Sequence, residues 1–308
     1  MSERVAITGG GGMMGRALAS ELRAAGYTDV TVLTRRDADL LDPAQAEAAI
    51  RKCQPGVLYH MAAKVAGILG NMRSQGDSYL QNLRINTNVI EGARLAGVRK
   101  VVAMGSTAVY SNAISLPMRE GDIWSGAPHG SEAGYAHAKR AMLAQLEAYR
   151  DQYGLSYAYC ISTNLFGPHD RFDETCGHVV PSLVSKFSRG IATGEPVVVW
   201  GSGTPQRDIL YVTDAARALR LIGEGAECAI NVASGTSITI AEIVSLLAEV
   251  TGFRGQVVWD GEKPDGQRFR SYDISRLRSL NFSPAYDTRD ALRLTFEWFN
   301  QTNVTARG

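Results

Sequence analysis

The sequence has almost no net charge: 32 lysines and arginines face 31 aspartates and glutamates, a formal +1. That balance argues against a dedicated nucleic-acid binder or a membrane-surface protein, while leaving room for a local basic pocket. No apolar run reaches the roughly 18 residues of a membrane span. The first residues lack the charged-then-apolar layout of a secretion signal and lead directly into a short apolar strand. Cysteine is scarce, and Cys53, Cys160, Cys176 and Cys228 stand far apart with no CxxC pair. A disulfide framework and a structural metal site are therefore not expected, and a reducing cytoplasm fits. What is there is 45% apolar and 20% charged, the composition of a folded domain rather than a disordered chain. At 308 residues the chain has room for one large domain or two ordinary ones.

Hydrophobic patterning alternates between strand and helix. Strands are expected at residues 4–8, 30–34, 56–62, 100–105 and 157–163. Helices are expected at 13–25, 44–52, 79–96 and 132–153, the second opened by Asp42 as cap and Pro43 at the first helical position. Repeated βα units of this length predict an α/β fold, a Rossmann-type doubly wound parallel sheet over residues 1–165. Beyond it the pattern loosens: Gly167-Pro168-His169-Asp170 breaks the regularity, and a polar loop runs to Cys176. Residues 166–308 read as a smaller α+β substrate-binding domain, with a segment near 205–233 returning to the first.

Thr8-Gly-Gly-Gly-Gly-Met-Met-Gly15 lies between the first strand and first helix. Gly9, Gly12 and Gly15 fit GxxGxxG, which puts glycines at a tight turn, against a pyrophosphate and at the helix–strand contact. A dinucleotide is the expected ligand, its phosphates at the helix N-terminus. At the end of the second strand stand Arg35 and Arg36 rather than a lone carboxylate. Arginine matches phosphate geometry, so NADP(H) is preferred, with Asp37 or Asp39 on a ribose hydroxyl as the alternative.

Tyr135 and Lys139 form a YxxxK pair, i and i+4 on one helix face. The ammonium is expected to lower the tyrosine from its ordinary pKa of about 10 and ready it for proton exchange with a carbonyl or alcohol. Ser106-Thr107 falls at the end of the fourth strand, the same sheet edge as the glycine turn. Ser106 or Thr107 would hydrogen-bond a substrate oxygen while Tyr135 handles the proton.

Longer motifs are more specific. They are Ala62-Ala-Lys-Val-Ala-Gly-Ile68, Gly134-Tyr-Ala-His-Ala-Lys139, Thr163-Asn-Leu-Phe-Gly-Pro-His-Asp170 and Gly177-His-Val-Val-Pro181. Val197-Val-Val-Trp-Gly-Ser-Gly-Thr-Pro205 and Lys263-Pro-Asp-Gly266 complete the set. With them the chain resembles, end to end, the GDP-L-fucose synthase family of extended short-chain dehydrogenase/reductases. The resemblance implies 3,5-epimerisation and NADPH-dependent C4 reduction of a GDP-4-keto-6-deoxy sugar, in a homodimer built on the two long helices.

By the same resemblance, Ser106, Tyr135 and Lys139 serve reduction, and His178 is an epimerisation acid. Met13, Met14, Ala62 and Asn164 join Gly9, Gly12, Gly15, Arg35, Arg36, Tyr135 and Lys139 around the cofactor. Val179, Leu183, Lys186, Trp200, Arg207 and Arg270 line the GDP site, Arg207 being the foremost diphosphate candidate. One position departs: where the family carries a catalytic cysteine after Ser-Ser/Thr, this chain has Ala108. A methyl group cannot move a proton, so a C4-reductase with weak or lost epimerase activity is the leading expectation. A full GDP-L-fucose synthase is the second, Cys176 offering one substitute thiol, and a non-catalytic NADP-binding sensor is the third.

Overall fold

A computed structural model describes residues 3–65, 72–174, 177–263 and 269–305. Cys176 and parts of the 62–68 and 263–266 motifs lie outside them.

The chain begins with β1 (Val5–Thr8), α1 (Met13–Ala24), β2 (Val30–Leu33) and α2 (Pro43–Cys53). Alternation continues through β3 (Val57–His60), α3 (Gln75–Leu95), β4 (Lys100–Met104), α4 (Ala133–Tyr153) and β5 (Ser156–Ser162). These elements form because their patterns agree with their ends. In α1, Met14, Leu18, Ala19 and Leu22 make one buried stripe. Asp42 accepts from the Ala44 and Gln45 amides and Pro43 needs no donor, which fixes the start of α2. Gly154 closes α4 in a left-handed conformation.

The second half contains β6 (Asn164–Phe166), α5 (Val179–Thr193), β7 (Val197–Trp200), β8 (Gln206–Arg207), β9 (Ile209–Tyr211) and α6 (Val212–Gly225). It ends with β10 (Ala229–Val232), β11 (Ile238–Thr239), α7 (Ile240–Thr251), β12 (Val257–Asp260), α8 (Ser275–Arg278) and α9 (Thr288–Thr305). The sequence reading placed no helix at α5; His178, which it left in a loop, stands immediately before the helix begins. Pro181 obscured the helical pattern, yet it sits in the first turn, where a missing amide costs nothing.

The main sheet runs β10-β5-β4-β3-β1-β2, and every pairing in it is parallel. All four residues of β1 and of β3 are buried, as strands covered on both faces must be. The chain reverses its direction of strand addition between β1 and β3, and their carboxyl ends open the crevice where such sheets bind ligands. Three two-stranded sheets, β8 with β11, β7 with β12 and β6 with β9, build the opposite side. Among the described residues no helix is long and apolar enough to cross a membrane.

Candidate active site

Between the two sides lies a cleft of about 1730 Å³. At its cofactor end the glycine turn is shaped by contact. A Cβ on Gly9, whose φ is +69°, would come within 2.6 Å of the Ala62 amide nitrogen. One on Gly15 would come within 2.5 Å of the Gly9 carbonyl oxygen, so a side chain there would force α1 away from the turn. Gly11 faces open space, with the nearest contact at 3.9 Å. Gly12 caps α1 without a side chain, leaving the first helical amides for an anion. This is a cradle that a dinucleotide pyrophosphate fits. Met13, Met14 and Ala62 also line it.

The β2 end discriminates between phosphate and hydroxyl. Asp37 accepts from the Thr34 amide and hydroxyl, both at 2.7 Å, and those bonds hold its carboxyl below the usual range. Asp39 accepts from the Leu41 amide at 3.0 Å. Both carboxylates are therefore engaged in their own loop. Arg35 and Arg36 are exposed at the cleft, and among the described residues neither guanidinium has a hydrogen bond. Arg16 is a further cation that the sequence reading missed. Its Nε donates to the Gly11 carbonyl at 3.0 Å, and it lines the same cleft. Its signal was its place in the first turn of α1, one turn beyond Gly12.

At the centre, β4 is followed by Gly105, and Ser106 opens a short 3₁₀ turn over Thr107–Val109. The Ser106 hydroxyl accepts from the Ala108 amide at 3.2 Å. Helix α4 brings Tyr135 and Lys139 to this point, and the Lys139 ammonium lies 5.7 Å from the Tyr135 ring centre. Lys139 is 1% exposed and donates to the Met104 carbonyl at 2.7 Å. Its position is tightened by Tyr159, whose hydroxyl donates to the Lys139 carbonyl at 3.0 Å.

The expected phenolate is not what this geometry favours. Burial pushes Tyr135 up, the Glu132 charge adds to it, and the Ser106 hydroxyl opposes them. Burial also brings Lys139 down to about 7, which weakens, without abolishing, the positive charge that favours the phenolate. Beneath the pair, His60 is fully buried between Thr8 Oγ1 at 2.8 Å and Asn86 Oδ1 at 3.1 Å. Burial, then the Lys139 charge, lowers it to about 3, so it is a neutral strut.

On the far side, the loop after β6 ends in Gly177, where a Cβ would meet the Asp173 carbonyl oxygen at 2.4 Å. That close turn delivers His178 to the start of α5, exposed to the cleft. Val179, Leu183 and Lys186 follow on one helical face and line the cleft too. Lys186 is 7% exposed, donates to the Val198 carbonyl at 2.9 Å and lies 5.2 Å from the Trp200 ring. Arg207 sits on β8 and bonds the Gln206 carbonyl at 2.8 Å. Arg270 reaches back to the turn after β4, donating to the Thr107 carbonyl at 2.9 Å and to Asn112 Oδ1 at 2.8 Å. Asn164 lies on β6 within 3.5 Å of the Asp208 carbonyl. Arg189 does not line the cleft; it pairs with Glu174 and Glu195.

Ala108 is 6% exposed and lines the cleft beside Ser106. Cys53, Cys160 and Cys228 do not line it, and Cys160 is fully buried in β5 with its thiol pushed up by desolvation.

A glycine-turn dinucleotide cradle opposite a serine, a tyrosine and a lysine defines an oxidoreductase of the short-chain type. Residues 5–233 match the NAD dependent epimerase/dehydratase family. The GDP-L-fucose synthase of Escherichia coli (strain K12) is 35% identical, over 99% of this chain and 99% of its own length. That of Sinorhizobium fredii is 36% identical, over 96% and 95%. A crystal structure of a GDP-L-fucose synthetase from Naegleria fowleri bound to NADP superposes with a TM-score of 0.91. It is 29% identical and covers all of this chain, which covers 97% of it. The chain belongs to the NAD dependent epimerase/dehydratase family, and within it to the GDP-L-fucose synthase family.

Proposed function

We propose that the protein is an NADPH-dependent C4-reductase of a GDP-linked 4-keto-6-deoxy sugar, with 3,5-epimerase activity weak or lost. The observation that carries this reading is the turn after β4. It keeps Ser106 beside Tyr135 and Lys139 but offers the cleft only the methyl of Ala108. NADP(H) is the cofactor: Gly9, Gly12 and Gly15 form its pyrophosphate cradle, and Arg16, Arg35 and Arg36 supply the cations for its phosphates.

Bound NADPH supplies the hydride delivered to C4. The Ser106 hydroxyl hydrogen-bonds the substrate carbonyl oxygen, and Tyr135, kept protonated by burial, gives that oxygen its proton. The phenolate left behind is stabilised by Lys139, anchored on the Met104 carbonyl. Lys186, Arg207 and Arg270 face the diphosphate, and Trp200 forms a wall of the nucleotide pocket. His178 supplies one proton-transfer group for the sugar carbons, but inversion at C3 and C5 takes removal on one face and return on the other. Without a thiol at position 108 the second group is missing.

The reading includes a cofactor domain over 1–165, a substrate domain over 166–308 with 205–233 returning to the first, and a homodimer. The dimer surface would be the outer faces of α3 and α4, where Tyr79, Leu80 and Tyr153 are exposed.

The test is turnover of GDP-4-keto-6-deoxy-mannose with NADPH in deuterated water. Consumption of NADPH without deuterium at C3 or C5 of the product supports the reductase. Deuterium at both positions would establish instead a full GDP-L-fucose synthase, the activity named for the relatives at 35% identity. No turnover with this substrate overturns both.

A further inference from the structure

Four buried side-chain atoms among the described residues have no hydrogen-bond partner, and two belong to residues of the cleft: Asp170 Oδ2 and Arg270 Nε. Arg270 is already held by two bonds to the turn after β4. Asp170 is different, because it is an acid whose free oxygen can only accept when ionised.

The carboxylate is not free to swing away. Asp170 Oδ1 accepts from the Arg171 amide at 2.7 Å, and the Asp170 amide donates to the Gly167 carbonyl at 3.2 Å. His169, held at φ +68°, packs edge-on against Trp298 at 4.6 Å between ring centres. Phe172 packs on Trp298 at 5.9 Å and Phe299 at 4.5 Å. The loop on both sides of Asp170 is thus pinned to α9, and Oδ2 is presented by a rigid support. A buried acceptor left unpaired is costly, and such a group in a native cleft calls for a donor supplied by a ligand. A diphosphate brings only negative charge and would be repelled. Donors come from the hydroxyls of a sugar ring or from the nucleoside, which the comparison of GDP with GDP-mannose below separates.

We infer that Asp170 is a sugar-binding residue, Oδ2 accepting a hydrogen bond from a ring hydroxyl of the nucleotide-linked sugar. This rests on the GDP-sugar reading above and adds the group that distinguishes the sugar from the nucleotide carrying it. Burial pushes the Asp170 carboxyl up, while the Arg171 amide and then the nearby His178 oppose it.

The test compares wild type, Asp170→Asn and Asp170→Ala for binding of GDP and of GDP-mannose by calorimetry, alongside thermal melting. Asparagine keeps an acceptor for the Arg171 amide, so folding is protected in at least one variant. GDP-mannose affinity is expected to fall about tenfold in both variants, the size of a hydrogen bond to a charged group, while GDP affinity and melting temperature hold. Equal losses for GDP and GDP-mannose, no loss for either, or a lowered melting temperature in the asparagine variant would each overturn the inference. If wild type binds neither GDP nor GDP-mannose, it is the GDP-sugar reading that fails.

Discussion

The two walls of the cleft are built on opposite principles. The cofactor wall rises from a sheet whose β1 and β3 are buried at every position, and its candidate site residues emerge at strand ends after β1, β3 and β4. The substrate wall is made of strand pairs such as β7, where buried and exposed residues alternate, and of a helix whose start depends on one close glycine turn. Their cations differ as well. Arg35 and Arg36, unlike Arg16 on its Gly11 carbonyl, are held by no protein hydrogen bond among the described residues, whereas Lys186 and Arg270 are bonded to carbonyls. A rigid wall suits chemistry that depends on sub-ångström placement, and a wall of small pieces suits a ligand that varies between relatives.

Four changes would break or sharpen that contrast. Tyr135→Phe removes the proton donor of the rigid wall and should slow reduction by about 10²- to 10⁴-fold, with NADPH still bound. Loss of NADPH absorbance measures the first, and fluorescence titration the second. Ala108→Cys tests the other activity. Deuterium incorporation at C3 and C5 should rise by a factor in the same range, about 10² or more, with C4 reduction little altered. An unchanged isotope pattern would mean the methyl is not what limits epimerisation.

Arg35→Ser combined with Arg36→Ser should weaken NADPH about ten- to a hundredfold and leave NADH unaffected, as read by competitive titration. The smallest effect is on stability. Lys139 titrates near 7 in the fold against 10.5 when free, so burial of its charge is a penalty present in full below pH 7. The penalty fades as pH rises toward 10.5, where the unfolded chain also loses the proton. Lys139→Met should therefore melt higher than wild type, most clearly below pH 7, with the gap closing at alkaline pH. A gap independent of pH would point to packing instead.

The βα alternation, the glycine turn and the YxxxK pair were legible in the sequence because each is local. Strand and helix ends fell mostly within a residue or two of their expected positions, with α3 reaching further, since caps such as Asp42 and Gly154 are written in the chain. Helix α5 was not legible, because Pro181 resembles a breaker unless one knows that the helix begins at Val179. The protonation of Tyr135 was misread for a different reason. Sequence shows that a lysine stands one turn away; only the fold shows that both groups are stripped of water, which overrides their attraction. Asp170 and Arg16 escaped likewise, since an orphaned oxygen and a guanidinium fixed to a turn are tertiary facts.

The place of β10 at the end of the main sheet has a consequence for how the chain is made. Until residue 232 has left the ribosome, β5 presents an open edge of unpaired amides and carbonyls, the kind that recruits other chains. Closing that edge also brings in Asn231, which accepts from the Tyr110 hydroxyl at 2.7 Å and donates to the Met118 and Asp273 carbonyls. A fragment cut at residue 165 would keep the entire glycine turn and the Ser106, Tyr135 and Lys139 trio, yet it would emerge with a sticky side and an unanswered buried phenol. The first half carries those residues, but the later half is needed to finish folding it.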